Sequence, residues 1–246
     1  MFPTLKGLWL LFPTILRTEG LGSFRWRCRV TAVKMTKEEK FEAERERIRL
    51  MRSFEDEYAH LGYIAGVDEV GRGPLCGPVV TAAVILPKDC EILYLNDSKK
   101  LSEKRRELLF PEIMEKAVAV GIASCSPEEI DSLNILNATK KAMREAVLKL
   151  NPSPACVLVD AVTIPGLDIK QVPIIKGDAK SLSIAAASVI AKVTRDRLMV
   201  ELDAKYPGYG FASNKGYGTA EHIAALKTLG PCEIHRRSFI KNFIEG

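Results

Sequence analysis

From about residue 61 the chain alternates short apolar, β-branched runs with stretches whose apolar residues recur every three or four positions. The first pattern predicts half-buried or buried strands and the second predicts amphipathic helices. Residues 63–68 and 78–86 read as two strands separated by a glycine-rich turn. Residues 102–116 read as a helix capped by Ser102, and residues 117–124 as a third strand. Ser126 followed by Pro127 and Glu129 is a capping box with proline at the first helical position, so a helix starts there. Residues 137–150 form a further helix stopped by Pro152. Residues 156–159 are a fully apolar strand ending at Asp160, and 171–175 a short strand. Residues 180–205 are a long helix with small residues on one side, and 219–229 another helix. Strands and helices alternate after an initial strand pair, which predicts an α/β fold: a mixed sheet flanked by helices.

Upstream the texture differs. Residues 36–60 are dense in charge, with Phe41, Ile48, Leu50, Met51, Phe54 and Tyr58 at roughly helical spacing. They predict an amphipathic helix, either resting on the domain or serving as a docking or nucleic-acid arm. Residues 1–34 read as a disordered basic tail or as translated sequence ahead of a start at Met35. The apolar stretch 7–16 is too short to span a bilayer and contains Pro13, so no membrane association is expected; signal- or transit-peptide readings are secondary.

Charge changes this picture less than its sum suggests. The net charge of +5 sits entirely in residues 1–34, where Lys6, Arg17, Arg25, Arg27, Arg29 and Lys34 face Glu19; the rest of the chain is balanced. A nucleic-acid argument must therefore rest on where charges lie. Cys28, Cys76, Cys90, Cys125, Cys156 and Cys232 are scattered, without a paired-cysteine motif or a histidine at ligand spacing, which argues against zinc and fits a reducing cytoplasm.

Three acidic placements suggest chemistry. Asp68 and Glu69 end the first strand, Asp160 ends the apolar run 157–159, and Asp178 precedes the small-residue helix. Carboxylates at the ends of buried strands are costly unless compensated, and open α/β sheets build their sites at the carboxyl ends of strands. Acids converging there would raise one another's pKa, and a divalent cation removes the conflict. Oxygen donors without His or Cys favour Mg²⁺ or Mn²⁺ over zinc. Plainer roles remain open for each: a turn bond for Asp68, a solvent-facing position for Glu69, turn closure by Asp160, a helix N-cap for Asp178.

The loop Gly71-Arg72-Gly73 follows the acidic pair and either approaches a phosphate or sugar or makes a tight hairpin. It is not a P-loop. Ser98 and Lys99 begin a basic cluster that continues through Lys104, Arg105 and Arg106, either a phosphate contact or a solvated helix start; Lys180 stands beside Asp178. Tyr217 lies among glycines next to Lys215, as a base- or sugar-stacking residue or a packed loop anchor.

Taken together, GVDEVGRGPLCGPVVTAAVIL, NDSKKLSEKRRE, VLVDAV, IIKGDAKSLSIAAASVIAKVTRDR and YPGYGFASNKGYGT resemble the ribonuclease HII family (type 2, bacterial type) in order and spacing, from about residue 61 to about 238. The resemblance implies a ribonuclease H-like mixed sheet with a helical N-terminal extension at 35–61, a catalytic core at 62–210 and a C-terminal substrate-binding helical region at 211–246. It implies Asp68, Glu69, Asp160 and Asp178 as catalytic metal ligands for two Mn²⁺ or Mg²⁺ ions, and Gly71, Arg72, Gly73 and Tyr217 as readers of the ribonucleotide 2′-hydroxyl. Arg72 and Asp178 set it apart from type 3 enzymes, which use Lys and Glu there. The implied substrates are RNA–DNA hybrids and duplex DNA with embedded ribonucleotides, met in ribonucleotide excision repair and DNA replication by a cytoplasmic monomer. The rivals are another ribonuclease H-like nuclease that ignores ribose, and a non-catalytic hybrid-binding module.

Overall fold

A computed structural model describes residues 35–244, so the expectations for residues 1–34 lie outside the described residues. The chain divides into two units, Met1–Phe41 and Glu42–Gly246. In the first, Thr36 and Glu39 exchange side-chain and backbone hydrogen bonds, a capping box that opens helix α1 (Lys37–Met51).

In the second unit the expected single helix over residues 36–60 is broken: α1 ends at Met51, α2 spans Ser53–Tyr58, and a 3₁₀ turn covers Ala59–Leu61. Ile48 and Met51 enter the core while Leu50 is exposed. Glu55 of α2 is buried and accepts hydrogen bonds from the Ser181 and Ser183 hydroxyls and the Ser183 amide at 2.6–2.8 Å. Its position suits a carboxylate, because those donors open a long helix whose N-terminal dipole favours negative charge. From Glu42 on, these contacts favour the docked helix of the two sequence readings.

The sheet comprises β1 (Ile64–Val70), β2 (Val79–Ile85), β3 (Ala119–Cys125), β4 (Cys156–Asp160) and β5 (Lys170–Ile174), in the order β3-β2-β1-β4-β5. β1, β2 and β3 pair antiparallel; β1, β4 and β5 pair parallel. Helix α3 (Glu103–Lys116) is capped by Ser102, and the capping box at Ser126 opens α4 (Pro127–Leu133). Helix α5 (Ile135–Leu148) starts two residues earlier than its periodicity predicts, because the Asn134 side chain caps it. It covers one face of the sheet. Helix α6 (Leu182–Lys205) covers the other, and α7 (Phe211–Asn214), α8 (Ala220–Leu229) and α9 (Arg237–Ile244) complete the chain. Alternation along β2 sends Ala82 and Val84 to the α6 side and Ala83 and Ile85 to the α5 side. Gly66 is what lets α6 sit so close to β1: a Cβ there would lie 2.2 Å from the Ile184 backbone nitrogen. Among the described residues no helix is long and apolar enough to cross a membrane.

Candidate active site

The sheet geometry puts the first and second acidic positions side by side. Val67 pairs with Val159 in the parallel β1–β4 register, so Asp68 and Asp160 follow on the next rung. Ile64 on β1 and Cys156 and Leu158 on β4 pack with Ile184 of α6, and strict alternation gives Asp68 and Asp160 that same face. Asp160 accepts the Gly177 amide at 2.8 Å, which ties the segment leading into α6 to the end of β4. Asp178 follows in a 3₁₀ turn, Gly177–Ala179, and is 8% exposed. It does not cap α6: Ser181 does, accepting from the Ile184 amide, and the helix begins at Leu182. Asp178 is thereby free of the capping role its sequence position suggested.

Asp68 is buried at 6% exposure and accepts the Glu69 amide at 2.8 Å. The Ser188 hydroxyl on α6 approaches it and donates to the Ser98 hydroxyl at 2.7 Å. Burial, then repulsion from Glu69 and Asp160, pushes the Asp68 carboxyl well above the ordinary aspartate range. Burial likewise raises Glu69, against the Arg72 guanidinium 3.3 Å away, while Asp160 raises it further. Asp178 is raised by burial, then by repulsion from Asp97 and Asp160. Lys99 interacts with Asp68, Asp97, Asp178 and Glu69, which together hold its ammonium charged despite desolvation. Lys180 is exposed next to Asp178. Two groups escaped the sequence reading: Asp97, which resembles an ordinary turn residue, and Ser188, hidden in a run of small helical residues.

The acids interact without closing up. Among the described residues no three of them bring oxygens within 4.8 Å of one another. The carboxyls of Asp68, Glu69 and Asp178, raised in pKa by burial, with Asp160 beside them and Lys99 among them, are a donor set that fits hard divalent cations. One prediction follows from the sign of these shifts. A carboxyl raised in the folded state binds protons more tightly there than when unfolded, so it destabilises the metal-free fold above its raised pKa and loses that effect as pH falls through it. In EDTA, Asp68→Asn should therefore melt above the parent protein at neutral pH, with the gap closing on acidification. A gap independent of pH in differential scanning fluorimetry would contradict the electrostatic picture.

Beside the acids, Gly71 has φ +94, and a Cβ there would meet Arg195 Nε at 2.4 Å. Arg236 and Arg195, both fully buried, hold the loop from behind. Arg236 donates to the carbonyls of Gly71, Arg72, Pro74 and Gly77 at 2.6–3.1 Å. Arg195 donates to those of Cys76, Pro78 and Lys215 at 2.8–3.1 Å. The amides of Arg72 and Gly73 have no protein acceptor among the described residues. Tyr217 is 45% exposed, and its ring edge lies 3.7 Å from where a Gly73 Cβ would be. The fold also gathers Cys76, His222 and His235, which sequence spacing had not suggested.

Residues 65–242 match the family model described as Ribonuclease HII. The Ribonuclease HII of Lachnoclostridium phytofermentans is 67% identical over 204 residues, covering 83% of this chain and 80% of that protein. That of Clostridioides difficile is 52% identical, covering 87% and 85%. The crystal structure of the ribonuclease H2 from Pyrococcus horikoshii OT3 matches with a TM-score of 0.63 at 29% identity, covering 74% of this chain and 97% of that one.

Proposed function

Because the chain belongs to the ribonuclease HII family, type 2 ribonucleases H that cut RNA endonucleolytically within RNA–DNA hybrids, we propose that it also hydrolyses duplex DNA on the 5′ side of embedded ribonucleotides, leaving 3′-hydroxyl and 5′-phosphate ends. The observation that carries this reading is the set of mutually repelling, partly buried carboxylates at the ends of β1 and β4 and ahead of α6. Asp68, Glu69, Asp160 and Asp178 would hold two Mg²⁺ or Mn²⁺ ions. When bound, such ions supply the positive charge that favours ionisation of an attacking water and of the leaving 3′ oxygen.

The chain's own groups do the positioning. The Glu69 amide fixes Asp68, and the Gly177 amide fixes Asp160. Arg72, Lys99 and Lys180 offer cations to the phosphates of the substrate strand, with Ser98 bracing the turn from which Lys99 projects. The free amides of Arg72 and Gly73 are donors for a ribose hydroxyl or phosphate, and Tyr217 offers a face for the sugar of the ribonucleotide. In this assignment residues 62–210 form the catalytic core, 211–246 the substrate-binding region and 35–61 an N-terminal helical extension, of which the part from Glu42 on packs on the core. The described cysteines are all free thiols, which supports a reducing, cytoplasmic workplace. There it would act as a monomer in ribonucleotide excision repair and replication.

The test is a duplex carrying one ribonucleotide. Cleavage at its 5′ side is expected with Mn²⁺ or Mg²⁺ and not with EDTA, and the all-deoxy duplex should survive. Tyr217→Ala should lower kcat/KM on this substrate by roughly tenfold or more, in the range reported for a lost stacking contact. Cleavage of the all-deoxy duplex would replace this reading with a ribose-blind nuclease.

A further inference from the structure

The segment that connects α8 to α9 contacts both halves of the recognition surface. The Gly77 amide donates to the Ile234 carbonyl at 2.8 Å, and the Arg236 amide to the Leu75 carbonyl at 2.9 Å, so residues 234–236 run antiparallel to the loop through a single Cys76–His235 bridge. The Arg236 side chain then grips the carbonyls of Gly71, Arg72, Pro74 and Gly77.

His235 reaches the other half. The Cys232 amide donates to His235 Nδ1 at 3.0 Å, which leaves the ring proton on Nε2. His235 Nε2 lies 3.1 Å from His222 Nε2 and donates to it. His222 must then carry its proton on Nδ1, which donates to the Tyr217 carbonyl at 2.8 Å. Both rings are buried, at 0% and 1% exposure, and Phe211 and Tyr209 pack against them. Burial pushes both imidazoles down, His235 to about 4, so the pair is neutral. This also tells against a metal at Cys76, His222 and His235. All four ring nitrogens are already engaged, burial pushes the Cys76 thiol up to about 12, and the Arg195 and Arg236 guanidinium groups add positive charge nearby.

We propose that His235 and Arg236 are positioning residues for ribonucleotide recognition: Arg236 sets the loop at residues 71–73, and His235, acting through His222, sets Tyr217 opposite it. One three-residue stretch thus fixes the gap between the two surfaces that would enclose the sugar. The inference rests on the role given above to the loop and to Tyr217.

The experiment measures kcat and KM on the duplex with one ribonucleotide, in Mn²⁺, for the full chain and its variants. His235→Asn keeps an acceptor for the Cys232 amide but is too short to reach His222. His235→Gln places an amide N–H near the Nε2 position. The Asn variant should lose roughly ten- to a hundredfold in kcat/KM, as small misplacements do, and the Gln variant should recover most of it. In a Tyr217→Ala background, His235→Asn should cost less than about twofold more, because two residues acting through one contact are not additive. Arg236→Lys keeps the charge but cannot serve four carbonyls, and should lose a comparable factor; it stands as an independent test if His235→Asn does not fold. Additive losses, no recovery with Gln, or full activity of Arg236→Lys would overturn the proposal. An impaired Tyr217→Ala beside an intact His235→Asn would overturn the brace alone. A fully active Tyr217→Ala would overturn the recognition reading itself, and the brace with it.

Discussion

Replacing Asp68 with asparagine should reduce cleavage by roughly a hundred- to a thousandfold, on the scale seen when one preorganised electrostatic contact is lost from an active site, while hybrid binding persists. The change is nearly isosteric, so the Glu69 amide keeps its acceptor. What disappears is the charge at the most buried of the four proposed ligands. Two readouts separate this from unfolding. The variant should bind a hybrid duplex within a few-fold of the parent in a filter or anisotropy assay, because the phosphate contacts lie elsewhere. It should also gain less thermal stability from added Mn²⁺, because fewer ligands remain to bind it. Turnover close to that of the parent would remove Asp68 from the reaction.

The second large effect concerns Arg195. Its guanidinium is wholly buried on α6, and among the described residues it has no carboxylate partner within ion-pairing distance. Desolvation pulls its pKa below the usual arginine value, and the compensation comes from three carbonyl dipoles, those of Cys76, Pro78 and Lys215. Arg195→Ala would strand those carbonyls and leave a void under Gly71 and Gly77. The expected loss is about 3–5 kcal/mol, which for a chain of this size lowers Tm by about 10 °C. Arg195→Lys should recover only a minor part, because donors on a single nitrogen cannot span three carbonyls that the guanidinium reaches from Nε, Nη1 and Nη2. A thermal melt of Arg195→Ala within a couple of degrees of the parent would refute this account of the loop.

The contrast between those two residues explains what could be read from the letters. Asp68 and Asp160 were legible because a charged residue closing an apolar β-branched run is anomalous by itself, and parallel pairing then does the rest. Ser102 and Ser126 were legible because capping is local chemistry. Asp178 was legible as an acid of interest but not as to its neighbour, since Ser181 takes the cap and Asp97 approaches from a distant turn. Arg195 and Arg236 were not legible at all. Each sits among other charged residues, in TRDR and HRR, where a solvated surface is the ordinary expectation. Their partners are main-chain oxygens, which every residue possesses, so no spacing or complementary side chain betrays them. The Cys76, His222 and His235 cluster was hidden for a similar reason: its members come from a loop, a helix and a connecting segment.

The parallel pairing of β1 with β4 has a consequence for when this protein becomes able to cut. Asp68 is synthesised early, but its neighbour Asp160 arrives only after β2, α3, β3, α4 and α5 have been laid down, and Asp178 later still. Parallel strands cannot join through a tight hairpin; the whole crossover must fold before the rung closes. Under the proposed assignment, a half-made or prematurely terminated chain presents isolated acids and no nuclease.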